Sequence, residues 1–277
     1  MTDIFKLIKE RKSVRTFNDE EVTPQHRDEI MQFAHSIKTP YGIDIQVRIL
    51  DSGMHGLTSP VIVGTDTFIA GKVKRLPHAE EAFGYFFEQL VLHIQEMGLR
   101  TTWIAGTMNR KAFEEAMEVD EDEVMPCMSP LGTAAAKKSV RETMMRAGIR
   151  ADTRKKFSEI FFDGSTDMPL TESRYPELTE ILKAVQLAPS AVNKQPWRVI
   201  VNENGVYFYM KHDKGYIDSK GWDMQKIDMG IALSHFALCA EQNGLNTKFS
   251  LEDPELKANG LEFVAGFLLD GGQNEEY

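Results

Sequence analysis

Two segments of this 277-residue chain carry side chains whose types and spacing could do chemistry. Arg11-Lys12-Ser13-Val14-Arg15-Thr16-Phe17 gathers three cations and two hydroxyls just after a short amphipathic stretch. In extended backbone, Arg11, Ser13 and Arg15 would share one face, because side chains alternate. Guanidinium forks flanking a hydroxyl suit a phosphate or a ring carbonyl. The same residues would also serve as an ordinary charged helix end. The second segment, Leu187-Ala188-Pro189-Ser190-Ala191-Val192-Asn193-Lys194-Gln195-Pro196-Trp197, leaves a helix, turns through small residues and enters a strand. Small residues let backbone approach a flat ring, and Ser190 and Asn193 could hydrogen-bond to its edge. A loop shaped by turn chemistry alone would read the same way.

Other devices are missing. There is no GxGxxG, HExxH or GxSxG, and Gly64 to Gly71-Lys72 has neither the spacing nor the following hydroxyl of a P-loop. No metal ligand set and no catalytic acid, base or nucleophile is expected. His93 and His235 lie on apolar helices and read as hydrogen-bonded core residues. Cys127 and Cys239 stand far apart, as small core residues in a reducing compartment would. A net charge of −10 argues against a nucleic-acid partner. Residues 136–160 run against that charge, with Lys137, Lys138, Arg141, Arg146, Arg150, Arg154, Lys155 and Lys156. Most suit a solvated helix and loop, and one or two could serve an anion.

The elements that must position these segments follow from periodicity. Helices are expected over residues 3–12, from Thr23-Pro24 to about 37, over 79–97, 110–118, 176–187 and 223–243. Strands are expected at 43–50, from Val61, at 101–105, 197–201, 206–210, 246–251 and 261–269. Hydrophobic content of 42% and charged content of 27% are those of a globular protein. No window approaches the roughly 20 apolar residues of a membrane helix. The N-terminus, MTDIFKLIKERKS, does not read as a signal peptide, and a cytosolic location is expected.

An internal duplication is visible in outline. Gly98-Leu99-Arg100-Thr101-Thr102-Trp103 parallels Gly244-Leu245-Asn246-Thr247-Lys248-Phe249, each leading from a long apolar helix into a strand. Gln32-Phe33-Ala34-His35-Ser36 parallels Gln186-Leu187-Ala188-Pro189-Ser190 at a similar offset, about half the chain. The loop at 163–173 is the expected boundary, giving halves 1–163 and 164–277.

With these pieces assembled, the chain resembles the nitroreductase family. RKSVRTF is similar to its opening motif and APSAVNKQPW to its second. The stretch from Gly98 to Lys137 resembles its later Gly-Leu-x-Thr-x-Trp strand, loop, helix and Leu-Gly strand, and Arg154-Lys155-Lys156-Phe157 its basic tail. The order departs from the family. The slot after RKSVRTF holds QFAHSIKTPYGIDIQV, and the Pro-Ser…Asn…Gln-Pro-Trp signature appears only in the second half. The chain thus resembles the subset in which one polypeptide mimics the family's dimer.

That resemblance implies an α+β nitroreductase-like fold of two fused halves, each a small mixed or antiparallel sheet flanked by helices, related by a pseudo-two-fold axis. It implies one FMN per chain, served by both halves. Arg11, Lys12, Ser13 and Arg15 would hold its phosphate, ribityl and pyrimidine side. Ile104, Ala105 and Gly106 would pass the reactive edge with their backbone. Pro189, Ser190, Ala191, Asn193 and Gln195 would flank the ring. Lys138, Arg141 and Arg154 compete for the phosphate, separated by an inserted helix at about 139–150. NADH or NADPH would reduce the flavin, and a small acceptor such as a nitroaromatic or quinone would reoxidise it in a ping-pong cycle. The alternative is a flavin carrier or a non-catalytic relative. A monomer acting as an internal pseudo-dimer is expected, with no nucleic-acid or membrane partner.

Overall fold

The computed structural model describes residues 2–218 and 221–269. The chain forms two compact units. One comprises Thr2 and residues 10–152; the other comprises residues 3–9 and the chain from Thr153 onward. Helix α1 (Ile4–Glu10) therefore serves mainly the second unit, where the Gln242 side chain accepts the Ile4 amide at 2.8 Å.

In the first unit, α2 (Pro24–Ser36) begins where expected. The Thr23 hydroxyl accepts the His26 amide at 3.2 Å, and Pro24 stands at the first helical position, where no amide is needed. The strands β1 (Ile45–Asp51) and β2 (Thr67–Lys74) pair antiparallel, with the short helix α3 (Ser52–His55) between them in sequence. Helix α4 (Ala79–Glu96) follows, then α5 (Arg110–Ala116), β3 (Glu123–Val124), β4 (Met128–Pro130) and α6 (Val140–Gly148). Both β3 and β4 pair antiparallel with β2.

The strand β2 is absent from the periodicity because it is buried along all but its last residue, Lys74, and does not alternate. It contains Lys72, whose ammonium meets Glu123 at 2.6 Å and the Glu118 carbonyl at 2.7 Å. It also contains Gly71, where a Cβ would lie 2.9 Å from the Phe83 ring. Glycine here lets α4 close onto the sheet. Phe83, Phe87, Leu90, Val91 and Ile94 of α4 are fully buried, worth about 1.5–3 kcal/mol each. The expected strands near Val63 and at 101–105 exist only as single bridges, Thr16 to Val63 and Ile104 to Met128.

The second unit continues with α7 (Phe157–Ile160), β5 (Phe161–Asp163), α8 (Thr179–Leu187), β6 (Trp197–Asn202), β7 (Gly205–Met210), α9 (Met224–Gln242), β8 (Thr247–Ser250) and β9 (Glu262–Leu269). Its sheet runs β5-β6-β7-β9-β8. All pairs are antiparallel except β5 with β6. Helices α8 and α9 flank it, and the buried His235 ring on α9 bonds the Ala184 carbonyl at 2.9 Å. The architecture is α+β, with a small antiparallel sheet in one unit and a mixed sheet in the other. Among the described residues no helix is long and apolar enough to cross a membrane.

Candidate functional site

The RKSVRTF segment is extended and stitched to its unit by backbone hydrogen bonds. Val14 donates to the Thr101 carbonyl (3.0 Å), Phe17 to Val63 (2.8 Å), Val63 to Arg15 (3.0 Å) and Ala135 to Thr16 (3.0 Å). Gly64 makes the docking possible. A Cβ there would sit 2.1 Å from the Phe17 carbonyl oxygen, and its φ of +81° is one that side chains disfavour.

The Arg11 and Arg15 side chains are both buried, while Lys12 is exposed. Arg11 turns inward, and its Nε lies 3.6 Å from Glu88 Oε1, an ion pair too long for a hydrogen bond. Glu88, fully buried on α4, takes the Trp103 indole N–H on its other oxygen at 3.0 Å. Arg15 is also buried. Burial lowers the pKa of both guanidiniums; Glu88 opposes this at Arg11 and Glu142 at Arg15, while Arg146 lowers both. Among the described residues, Arg11 Nε and Nη1 and Arg15 Nε find no hydrogen-bond acceptor. Lys12 is exposed and Ser13 half-buried.

Helix α6 brings two groups that sequence reasoning left among solvated charges. The Ser139 hydroxyl caps its N-terminus by accepting the Glu142 amide at 3.1 Å. Glu142 then points inward, accepting the Arg15 amide at 3.2 Å and the Thr16 hydroxyl at 2.9 Å. Arg146, one turn on, donates to the Ser13 carbonyl at 3.3 Å and pairs with Asp152. The helix is inverted: Glu142 and Arg146 are buried, while Val140 and Met144 are 76% and 71% exposed. Periodicity assigns charges to water, which is why both were missed. Lys138 and Arg141 are exposed, and Arg141 bonds the Pro60 carbonyl.

Ile104 exchanges both backbone hydrogen bonds with Met128 at 2.9 Å, so the chain leaves the sheet immediately after it. The Ala105 carbonyl is held by Arg110 at 2.6 Å, which also grips the Met125 carbonyl at 2.7 Å. The backbone at Gly106 faces open space, with nothing within 4 Å of a Cβ placed there.

In the second unit, the loop after α8 is held by its own side chains. The Ser190 hydroxyl accepts the Gln195 amide at 2.9 Å. Asn193 donates to the Thr153 carbonyl at 3.1 Å. The buried Gln195 side chain accepts the Lys155 amide at 2.8 Å and donates to the Asn193 carbonyl at 3.2 Å. Val192, Asn193 and Gln195 all have positive φ, between 51° and 56°, a conformation that persists only where surrounding bonds enforce it. The Ala191 amide is taken by Asp228 of α9 at 3.0 and 3.1 Å. Arg154 donates to the Leu187 carbonyl at 3.0 Å, and Pro189 is half-buried at the loop's start. Glu88 and Asp228 had a legible signal, since each is a lone carboxylate in an apolar helical run, where burial demands a partner.

A family model described as "Putative TM nitroreductase" matches residues 3–240. The crystal structure of a putative nitroreductase from Thermotoga maritima superposes with a TM-score of 0.63 at 20% identity, covering 97% of this chain and 94% of that one. A nitroreductase family protein from Clostridium difficile 630 matches with a TM-score of 0.45 at 17% identity, over 57% of this chain and 96% of its own. An FMN-dependent nitroreductase from Clostridium difficile R20291 gives 0.40 at 17%, over 48% and 88%. No curated protein matches in sequence. The Thermotoga likeness shows the fold to be nitroreductase-like.

Proposed function

Since the chain belongs to the Putative TM nitroreductase family, we propose that it is an FMN-dependent oxidoreductase that carries electrons from NADH or NADPH to a small acceptor. A nitroaromatic or a quinone fits the acceptor role, and ping-pong kinetics fit a single flavin reduced and reoxidised in turn. The observation that carries this reading is the pair of buried guanidiniums, Arg11 and Arg15, whose donors Arg11 Nε and Nη1 and Arg15 Nε lack acceptors among the described residues. In an acidic chain, cations buried with donors to spare suit a bound anion such as a phosphomonoester.

Bound FMN supplies a ring that accepts hydride and passes on two electrons. The chain's residues bind and orient it. Arg11, Arg15 and Ser13 offer donors and positive charge, and the exposed Lys12 adds to the local potential. Of Ile104, Ala105 and Gly106, it is Gly106 that offers open backbone; both Ile104 groups are spent on Met128 and the Ala105 carbonyl on Arg110. In the loop from Pro189 through Ser190, Ala191, Asn193 and Gln195, the side-chain groups of Ser190, Asn193 and Gln195 are bonded within the second unit. No side chain is assigned as acid or base.

Reconstitution with FMN tests the reading. The protein should turn yellow at one FMN per chain, bleach anaerobically with NADH or NADPH, and recover colour on addition of a nitroaromatic or quinone. A yellow protein that neither nucleotide bleaches is a flavin carrier. A protein that takes up no FMN overturns the flavin assignment.

A further inference from the structure

We propose that Arg146, delivered by the inverted helix α6, is the cation that completes the phosphate-binding part of this site, in place of Lys138, Arg141 and Arg154. The inference rests on the flavin reading above.

Position comes first. Arg146 is buried, and its Nη1 donates to the Ser13 carbonyl at 3.3 Å, inside the RKSVRTF segment. Lys138 is exposed, Arg141 is exposed and turned to the Pro60 carbonyl, and Arg154 holds the Leu187 and Thr153 carbonyls in the second unit.

Charge comes next. Arg146 is near enough to Arg11 and Arg15 to disfavour the charged form of each. Three guanidiniums held together out of water repel one another unless anions separate them. The carboxylates facing them are Glu88, Glu142 and Asp152. Glu88 divides itself between Arg11 and the Trp103 indole. Glu142 commits Oε2 to the Arg15 amide and the Thr16 hydroxyl. Asp152 is 74% exposed, so solvent weakens its hold on Arg146. A phosphomonoester, carrying about −1.5 to −2 at neutral pH, brings acceptors to Arg11 Nε and Nη1 and Arg15 Nε, which find none among the described residues.

The helix itself gives the third argument. Leaving Val140 and Met144 in water while burying Glu142 and Arg146 runs against amphipathic packing. Glu142 explains one half of that inversion by tying α6 to Arg15 and Thr16. Arg146 is held inward by the Ser13 carbonyl and Asp152, close enough to Arg11 for the two charges to interact.

The test compares FMN with riboflavin, which has the same ring and no phosphate, in fluorescence titrations of the full chain. Arg146→Ala should lower FMN affinity roughly ten- to a hundredfold, as loss of one charged hydrogen bond does, and leave riboflavin affinity within twofold. Arg146→Lys should fall between, because it keeps charge without the fork; it decides the matter if the alanine variant does not fold. Arg141→Ala should leave FMN affinity within twofold. Unchanged FMN affinity in both Arg146 variants, or an equal loss for riboflavin, overturns the assignment while leaving the flavin reading intact. So does a wild-type chain that binds both flavins equally. Wild-type protein that binds neither overturns both.

Discussion

Glu142 on α6 accepts the backbone amide of Arg15 at 3.2 Å, joining residues 127 positions apart in sequence. The same carboxylate oxygen takes the Thr16 hydroxyl at 2.9 Å, and Thr16 in turn accepts the Ser139 amide at 3.0 Å. This chain of bonds fixes the cationic segment and the helix that covers it as one piece. Glu142→Ala leaves the Arg15 amide without its acceptor and the Arg15 guanidinium without its nearest buried counter-charge. We expect a loss of about 1–3 kcal/mol in urea unfolding, together with weaker FMN retention. A variant as stable as the wild type would show that α6 contributes nothing to holding this segment.

The Arg11–Glu88 pair is buried on both sides, with 6% and 0% side-chain exposure. Breaking a buried pair by removing one partner leaves the other charge uncompensated, which costs roughly 3–5 kcal/mol. Glu88→Gln should therefore destabilise the protein near the lower end of that range, because the amide oxygen can still accept the Trp103 indole. Saturating FMN should recover part of the loss by lending Arg11 a new anion. Equilibrium unfolding with and without flavin measures both effects, and a stability difference below about 1 kcal/mol would contradict the account.

Gly64 has a sharper requirement. Alanine there meets the Phe17 carbonyl at 2.1 Å and must also adopt φ near +81°. Left-handed strain and backbone collision together should cost about 2–4 kcal/mol. The relief available is to separate Val63 from Thr16, which undocks the cationic segment. Gly64→Ala should thus lose stability and flavin affinity together. Gly106→Ala meets open space and should keep wild-type stability. Equal unfolding midpoints for the two variants would count against the docking role of Gly64.

Most long elements were legible because an apolar stripe or an alternating face demands burial. α2, α4, α8 and α9 begin and end within a few residues of their expected limits. Two kinds of feature were not. β2 has no alternation to read, since nearly all of it is buried, and its Gly71-Lys72 resembles loop punctuation rather than a central strand. α6 shows the periodicity of a helix but the wrong face, so Glu142 and Arg146 were assigned to water. Polarity patterns locate the core only when buried charges are few. Around RKSVRTF they are concentrated, and there the pattern fails. Arg11 and Arg15 were legible as a cationic pair; of the carboxylates that face them, Glu88 on α4 was legible as an isolated acid in an apolar run, and Glu142 on α6 was not legible.

Asp228 offers a pH-dependent test of the second unit's loop. Burial raises its pKa well above the ordinary carboxylate range, the Ala191 amide pulls the other way, and the negative charge of Asp223 adds to the rise. A raised folded pKa means that the folded state holds the proton more tightly than the unfolded state does. The associated stability is fully present below the unfolded value of about 3.9 and is lost as pH rises through the raised folded value. Asp228→Asn carries no charge at any pH, and its side-chain oxygen can still accept the Ala191 amide. The variant's stability relative to the wild type should therefore improve steadily from pH 4 towards pH 8 in urea unfolding series. A constant difference across that range would mean that Asp228 folds without a pKa shift, its charge matched by the Ala191 amide alone.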